Sequence, residues 1–426
     1  MKNAFKKLEV EWREKELPLL IERDFPLRIT DDVLAIIGPR RVGKTYLMYQ
    51  LLHSILPHVS KEQILFIDFE DNRLVGLKVQ QADDMFIAHQ ELTSSPLQYL
   101  FFDEIQALPQ WSSFVRKLHN QQKYKIIVSG SSAKLLSKEI ATELRGRYKA
   151  IFVSPFSFQE FLKMKQFDYS PKIEFSEKKG MLLSFFQEYM ENGGYPEIIK
   201  EEQKLEKRLK IQSYFQTIFY KDIVERHQIT NYSVLEQLMG YLLNNAARVF
   251  SISQFEKVLK EKGVAVSKKT LSLYLKYLEE AFFIYAVEEF SYSAKKRIMR
   301  PKKVYLIDNG LITFLSTQFS PDLGRLLENC VLIELKKRGQ EVFYYHGKQE
   351  CDFLVKDGLQ IRQAIQVCYD FQPYNEKREV KGLQEAMDIH HLRHGLLLTY
   401  DQEKKISIGN KHIQIMPVWK WLLQKK

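Results

Sequence analysis

The chain has 426 residues, 45% of them hydrophobic, and a formal net charge of +11. That length fits two to four domains with several cores, which excludes a low-complexity chain, and no run approaches the ~18 apolar residues of a membrane span. Three cysteines (Cys330, Cys351, Cys368) without a CxxC pair argue against a disulfide framework and predict a reducing, cytoplasmic setting, and the positive charge permits a polyanionic partner.

The opening stretch MKNAFKKLEVEWREKE is charged throughout and lacks the apolar centre of a secretory signal. The first strong element is the apolar run VLAII (Val33 to Ile37), followed by GPRRVGKT at residues 38–45 and then by TYLMYQLLHSI with helical spacing. Strand, glycine loop and helix in that order predict a phosphate cradle. Gly38 and Gly43 let the loop, with Pro39, Arg40, Arg41 and Val42, curl its amides inward at phosphate oxygens. Lys44 can reach the β- and γ-phosphates, the Thr45 hydroxyl can ligand Mg²⁺, and the helix N-terminus favours anions. ATP and Mg²⁺ are the implied cofactors.

A second buried strand, ILFIDFE (Ile64 to Glu70), precedes a third in YLFFDEIQ. In register after the loop, Asp103 is placed to hold the metal and Glu104 to polarise the attacking water. The fourth strand, in YKIIVSGSSAKLL, ends in small polar residues. There Ser129 or Ser131 can touch the γ-phosphate or the water, and a simple serine cap is the alternative. Arg145 and Arg147 flank a glycine in ELRGRY. Either can serve as an arginine finger, or both as surface charges.

GPRRVGKT, LFFDEIQ, SGSSAKLL, LRGRY and SPFSFQEF, in this order, resemble a prokaryotic AAA-type ATPase family with a C-terminal PD-(D/E)xK nuclease-like domain of unknown function. GGYPE (193–197), FYKDIVERH (219–227), FSYSAKKRIMRPKKVYLIDNGL (290–311) and ENCVLIEL (328–335) extend the resemblance over nearly the whole chain. It implies an AAA core, a helical connector, a winged-helix region and a nuclease-like end, and it favours Arg147 as the finger.

Beyond a helical stretch around Tyr214 to Thr230, SISQFEKVLKEKG reads as an amphipathic helix stopped at Gly263. A second helix follows, capped by Ser267, with Leu271, Leu275 and Leu278 on its apolar face. A β-rich stretch comes next, and the whole reads as a helix-turn-helix with a wing. Lys268, Lys269 and Thr270 open the second helix, where such modules meet the major groove. The wing run AKKRIMRPKK, with Lys295, Lys296, Arg297, Arg300, Lys302 and Lys303, suits phosphates rather than sequence reading. Use of the module to dock a protein is the competing reading.

In the last third, Asp352 matches the first acidic position of a PD-(D/E)xK site, and Glu328 on the preceding helix can assist. The next strand reads Gln366-Val367-Cys368 where (D/E)-x-K is needed. An amide is a poor Mg²⁺ ligand and a cysteine supplies no fixed positive charge. Glu350 shares a strand face with Asp352 but does not replace the lysine. Nuclease chemistry is therefore not expected. His390, His391 and His394 sit on an expected helix without the partners of a metal site, which predicts a surface or capping role.

The resulting expectation is an α/β protein. A P-loop AAA-type core with a parallel sheet (1–165) leads to a helical connector (166–230), a winged helix (231–310) and an inactive nuclease-like domain (311–426). Expected partners are ATP, double-stranded DNA, further copies of the chain and an unidentified protein, with no membrane. The expected function is Mg²⁺-dependent ATP hydrolysis acting on or regulated by DNA, and the alternative is a nucleotide-gated protein-assembly switch that binds no nucleic acid.

Overall fold

The computed structural model describes every residue except 24, 26, 133–145, 318–321 and 425–426. Arg145 therefore lies outside the described residues. The chain divides into two compact units, Met1–Ser154 with Glu280–Phe282, and Pro155–Glu279 with Phe283–Lys426.

The first unit opens with helix α1 (Lys2–Glu14), whose Phe5, Leu8 and Trp12 are buried. The Trp12 indole donates to Ile64 O at 3.1 Å. Five strands follow: β1 (Val33–Ile37), β2 (Ile64–Asp68), β3 (Tyr99–Asp103), β4 (Lys125–Gly130) and β5 (Tyr148–Phe152). They pair in the order β2-β3-β4-β1-β5, all parallel. Parallel strands need covering on both faces, so their sequences run continuously apolar rather than alternating. VLAII is buried at all five positions. Helices α2 (Lys44–Ile55), α3 (Asp84–Leu92) and α4 (Trp111–Asn120) fall between the strands in chain order. The loops leaving β1, β2, β3 and β4 therefore gather along one edge of the sheet, where α/β proteins bind ligands. β4, not β2, separates β1 from β3 in the sheet.

The second unit begins with helices at Phe158–Met164, Lys178–Asn192 and Lys204–Thr217. FYKDIVERH falls on a π-helical stretch, Ile218–Glu225. After the helix Tyr232–Asn244 come β6 (Arg248–Phe250), helices Ile252–Glu261 and Lys268–Glu280, β7 (Ile284–Glu288) and β8 (Lys302–Leu306). The three strands form an antiparallel sheet in the order β6-β8-β7. Ser267 caps the second helix by accepting from the Thr270 amide at 3.0 Å. Gly263, at φ 77°, follows the first helix in the left-handed region glycine tolerates. The run between β7 and β8 is not an open loop but a short helix, Ala294–Met299, capped by Ser293.

Helix Leu323–Lys337 leads into β9 (Glu341–His346), β10 (Glu350–Asp357) and β11 (Gln360–Val367). With β12 (His394–Thr399), β13 (Lys404–Ile408) and β14 (Lys411–Pro417) they make a mixed sheet in the order β13-β14-β12-β11-β10-β9. Helix Pro373–Ile389 covers it through Val380, Leu383, Ala386 and Met387. That helix ends at Ile389, which corrects the expected placement of the histidines. His390 is its C-cap, His391 has φ 54°, and His394 opens β12.

GGYPE and YLIDNGL meet in this unit. Buried Asp308 accepts from the Gly194 amide at 2.6 Å and from the Gly310 amide at 2.8 Å. A Cβ on Gly193, which has φ 77°, would lie 1.8 Å from Asp308 Oδ1. The Asn309 amide donates to Met190 O and Leu326 O. These motifs are a packing clasp rather than part of the nucleotide chemistry.

Candidate nucleotide site

The loop after β1 turns through two left-handed residues, Arg41 at φ 68° and Gly43 at φ 94°. Glycine removes the steric cost of that conformation at the second position. Gly38 is required by crowding, because an added Cβ would meet Val153 O at 2.0 Å. The loop is strapped from behind by buried Arg23, whose guanidinium donates to Val42 O and Ser154 O, each at 2.9 Å. Arg40 is held on the other side by a two-armed pair with Glu70, at 2.7 and 2.9 Å. Nothing in the local sequence pattern of residues 23 and 70 announced these two struts.

Lys44 and Thr45 begin α2 and face the end of β3. The Thr45 hydroxyl donates to Asp103 Oδ2 at 2.6 Å, and the Ser129 hydroxyl donates to Asp103 Oδ1. The Ser129 oxygen in turn accepts from the Glu104 amide at 3.0 Å. Ser129 thus holds both acidic residues of the β3 loop. Lys44 Nζ donates to Pro39 O at 3.1 Å and lies 3.1 Å from Glu104 Oε1. Glu104 adopts φ 48° and ψ 46°, an unusual conformation for a glutamate that turns the chain sharply after the strand. Ser131 is joined to this group through Gln106, whose amide donates to Glu104 Oε2 at 2.5 Å and to Ser131 Oγ at 3.2 Å.

Burial pushes Asp103 above the usual carboxylate range and the charge on Glu104 adds to it, partly offset by Ser129, Thr45 and Lys44. Burial works in the same direction on Glu104, but Lys44, Gln106 and Arg40 outweigh it and hold that carboxyl down at about 2. Asp68, paired in register with Asp103 across β2 and β3, is raised to about 6 by burial and by the neighbouring Asp103 and Glu104. Thr45 and Asp103 are hard oxygen donors side by side, the set a Mg²⁺ ion takes. The amides of a loop opening a helix suit phosphates.

Arg147 is not brought to the loop of its own chain. It is exposed, and its carbonyl accepts from the Val33 amide at the start of β1. β5 runs parallel to β1, so Arg147 lies at the opposite end of the strand, ~13 Å away at about 3.3 Å per residue.

With this geometry in view, comparisons with known proteins agree. Residues 30–162 match an AAA domain, and residues 184–322 match a domain of unknown function, DUF8612. The chain is 36% identical over 421 residues to the uncharacterized protein MJ1544 of Methanocaldococcus jannaschii, covering 95% of this chain and 91% of that one. The chain belongs to that protein's family. An uncharacterized protein of Haemophilus influenzae is 29% identical over 424 residues, covering 97% of this chain and 98% of the relative. The Aeropyrum pernix ORC1 protein, solved in complex with DNA, overlaps 78% of this chain and 93% of its own at 13% identity and a TM-score of 0.31. A likeness at that TM-score does not extend its DNA binding to this AAA-domain protein. The match of unknown function covers the middle of the chain rather than the six-stranded sheet.

Sequence-predicted cations in the second unit are placed differently from one another. Lys268, Lys269, Lys295 and Lys296 are exposed. Arg297 donates to Ser291 O and lies 3.6 Å from Glu288, Arg300 pairs with Glu289, and Lys302 lies 3.9 Å from Glu288. Lys303 is buried, which removes it from the surface run. Glu328, Asp352 and Gln366 do converge, and Lys303 is among them. Cys368 lines the same pocket and donates to Asp370 O at 3.3 Å. Val304 and Leu306 on one face of β8 and Lys303 and Tyr305 on the other are all buried, so strand alternation does not mark Lys303 as inward.

Proposed function

We propose that this protein binds ATP in the loop of residues 38–45 and hydrolyses it with Mg²⁺. One observation carries the reading: Asp103 and Glu104 follow a strand one removed from β1, yet Asp103 reaches Thr45 and Glu104 reaches Lys44. Thr45 and Asp103 would hold the Mg²⁺ ion, which supplies charge neutralisation on the phosphates. Lys44 leaves its carboxylate partner for the phosphates, and Glu104 is then free to take a proton from water. Gln106 and Ser131 restrain the Glu104 carboxylate. The exposed position of Arg147 supports a role in the site of a second copy of the chain. The test is steady-state ATP turnover by the wild type and by Glu104→Gln, beside ATP binding by both. Turnover of the variant at the wild-type rate removes Glu104 from the role.

The helix, strand, helix, helix, strand, strand order of residues 232–306 supports a winged helix. A DNA-binding use rests on the exposed Lys268, Lys269, Lys295 and Lys296. The second reading, a nucleotide-gated switch acting on a protein, is favoured by the acidic partners of Arg297, Arg300 and Lys302. Turnover measured with and without double-stranded DNA at two salt concentrations separates them, since phosphate contacts are salt-dependent.

A further inference from the structure

Four side chains from three parts of the second unit meet beside the six-stranded sheet. The Lys303 ammonium, on β8, lies 2.8 Å from Glu328 Oε1, 2.8 Å from Glu350 Oε1 and 2.9 Å from Asp352 Oδ1. Glu328 comes from helix Leu323–Lys337, and the other two acids from β10. The Lys303 side chain is only 4% exposed. Burial opposes its charge, yet Asp352 and Glu328 hold its pKa well above the ordinary lysine value. An ammonium has three hydrogens, and three carboxyl groups take them, although burial and the Asp352 charge push Glu328 up to about 8.

We propose that this carboxylate cluster is a cation site whose cation is the chain's own Lys303, and that it accepts a divalent ion only when that ammonium is removed. The contacts of 2.8–2.9 Å are those of N–H donors to carboxylates. A Mg²⁺ ion needs its oxygens at about 2.1 Å, a closer gathering than these acids make around Lys303. A dication entering beside the ammonium would also face its charge at short range. Two of the acids have further protein partners. Asp352 Oδ2 accepts from the Val367 amide at 2.9 Å, and Glu328 Oε1 accepts from the Tyr305 hydroxyl at 2.6 Å. Gln366 accepts from the Asp352 amide and donates to Glu379 Oε2 at 2.8 Å, so it offers no oxygen to a metal.

Removing one partner of a buried ion pair leaves an uncompensated charge, so the arrangement is self-enforcing. It also ties β8 to β10. The same two sheets meet where the Phe290 amide donates to Tyr344 O at 2.8 Å and the Tyr344 hydroxyl donates to Pro301 O at 2.8 Å. The internal cation thus accounts for an acidic cluster that functions as a joint.

The test is Mn²⁺ equilibrium dialysis on the full chain without nucleotide. It compares wild type, Glu350→Gln, Lys303→Met and the double variant. Wild type and Glu350→Gln are expected to bind the same number of ions. Lys303→Met is expected to bind one more, and to lose it in the double variant. Fewer ions on Glu350→Gln than on wild type overturns the proposal, as does a folded Lys303→Met that gains none. Should Lys303→Met not fold, the comparison of wild type with the partly exposed Glu350→Gln variant decides alone.

Discussion

Lys44 Nζ and Glu104 Oε1 stand 3.1 Å apart, so the cation meant for phosphate and the carboxylate meant for water neutralise each other in the nucleotide-free chain. ATP must compete with Glu104 for Lys44. While the pair holds, the carboxyl stays at about 2 and is a weak base, and drawing Lys44 away raises its basicity. Glu104→Gln removes the competing charge. The variant is expected to bind ATP at least as tightly as wild type while hydrolysis falls by about 10²–10⁴. Lys44→Ala is expected to lose tight binding. Calorimetry with ATP and single-turnover hydrolysis check the two halves separately, and weaker ATP binding by Glu104→Gln would break the clasp argument.

Gln106 reaches Glu104 and Ser131 together, which makes it a positioning residue for the carboxylate. Gln106→Ala should lower kcat by about tenfold with KM little changed, because the Gln106 amide orients the base rather than ATP. Gln106→Glu should be worse, since it sets a second negative charge against Glu104. A raised KM with kcat unchanged in Gln106→Ala would mean the residue supports binding instead.

Arg147 sits at the far end of β1 from its own loop, and this determines how it must act if it acts in hydrolysis at all. Arg147→Ala should retain ATP affinity and lose turnover. Mixed with Glu104→Gln, it should regain part of the activity, because a hybrid interface joins an intact Glu104 to an intact Arg147. Light scattering must show mixed oligomers first. No recovery in such oligomers would assign Arg147 to the surface.

Gly193 and Asp308 give a stability prediction. Gly193→Ala combines a left-handed φ with a Cβ 1.8 Å from Asp308 Oδ1, so it should cost at least about 3 kcal/mol in urea unfolding of the second unit. Asp308 is raised to about 7 by burial, against which the Gly194 and Gly310 amides work. The unfolded chain releases this proton near pH ~4 and the folded chain near 7. Between those values the folded state binds more protons, so stability falls as pH rises, and it levels off above 7. Asp308→Asn should flatten the difference between pH 5 and pH 8, which for this group is about 3 kcal/mol at most. An unchanged difference would place the pH sensitivity elsewhere.

The parallel sheet and the nucleotide loop were legible because their signals are local. VLAII, ILFID and YLFFD are continuous apolar runs, and GPRRVGKT needs only its own spacing. Ser129 and Ser131 were within reach for the same reason, as small polar residues ending a strand. Arg23, Glu70 and Lys303 were not, since each acts on a partner far along the chain. Lys303 was hidden by its surroundings too: a lysine in AKKRIMRPKK counts as surface charge, and because both faces of β8 are buried, alternation does not single it out. The short helix between β7 and β8 was hidden for a related reason. Ser293 caps a helical turn, and Glu288 and Glu289 draw in neighbouring cations that composition alone left at the surface.

The burial of Lys303 and the acidic partners of Arg297, Arg300 and Lys302 narrow what DNA could meet. Lys295 and Lys296 remain on the short helix, and Lys269 at the start of Lys268–Glu280, where Lys268 lies 3.8 Å from Glu256. If DNA is bound, replacing Lys295 and Lys296 by Ala should reduce the slope of log K against log salt by about 0.9 for each phosphate no longer neutralised, alike for all sequences. Replacing Lys268 and Lys269 should instead alter preference between sequences, because the start of that helix would face base edges. Replacing Arg300 should do neither, and should loosen its pair with Glu289. Fluorescence anisotropy with two unrelated duplexes, across a salt series, reads all three outcomes. Absence of wild-type binding at low salt would leave the exposed lysines for an acidic protein surface, and the nucleotide-gated switch would then be the function to pursue.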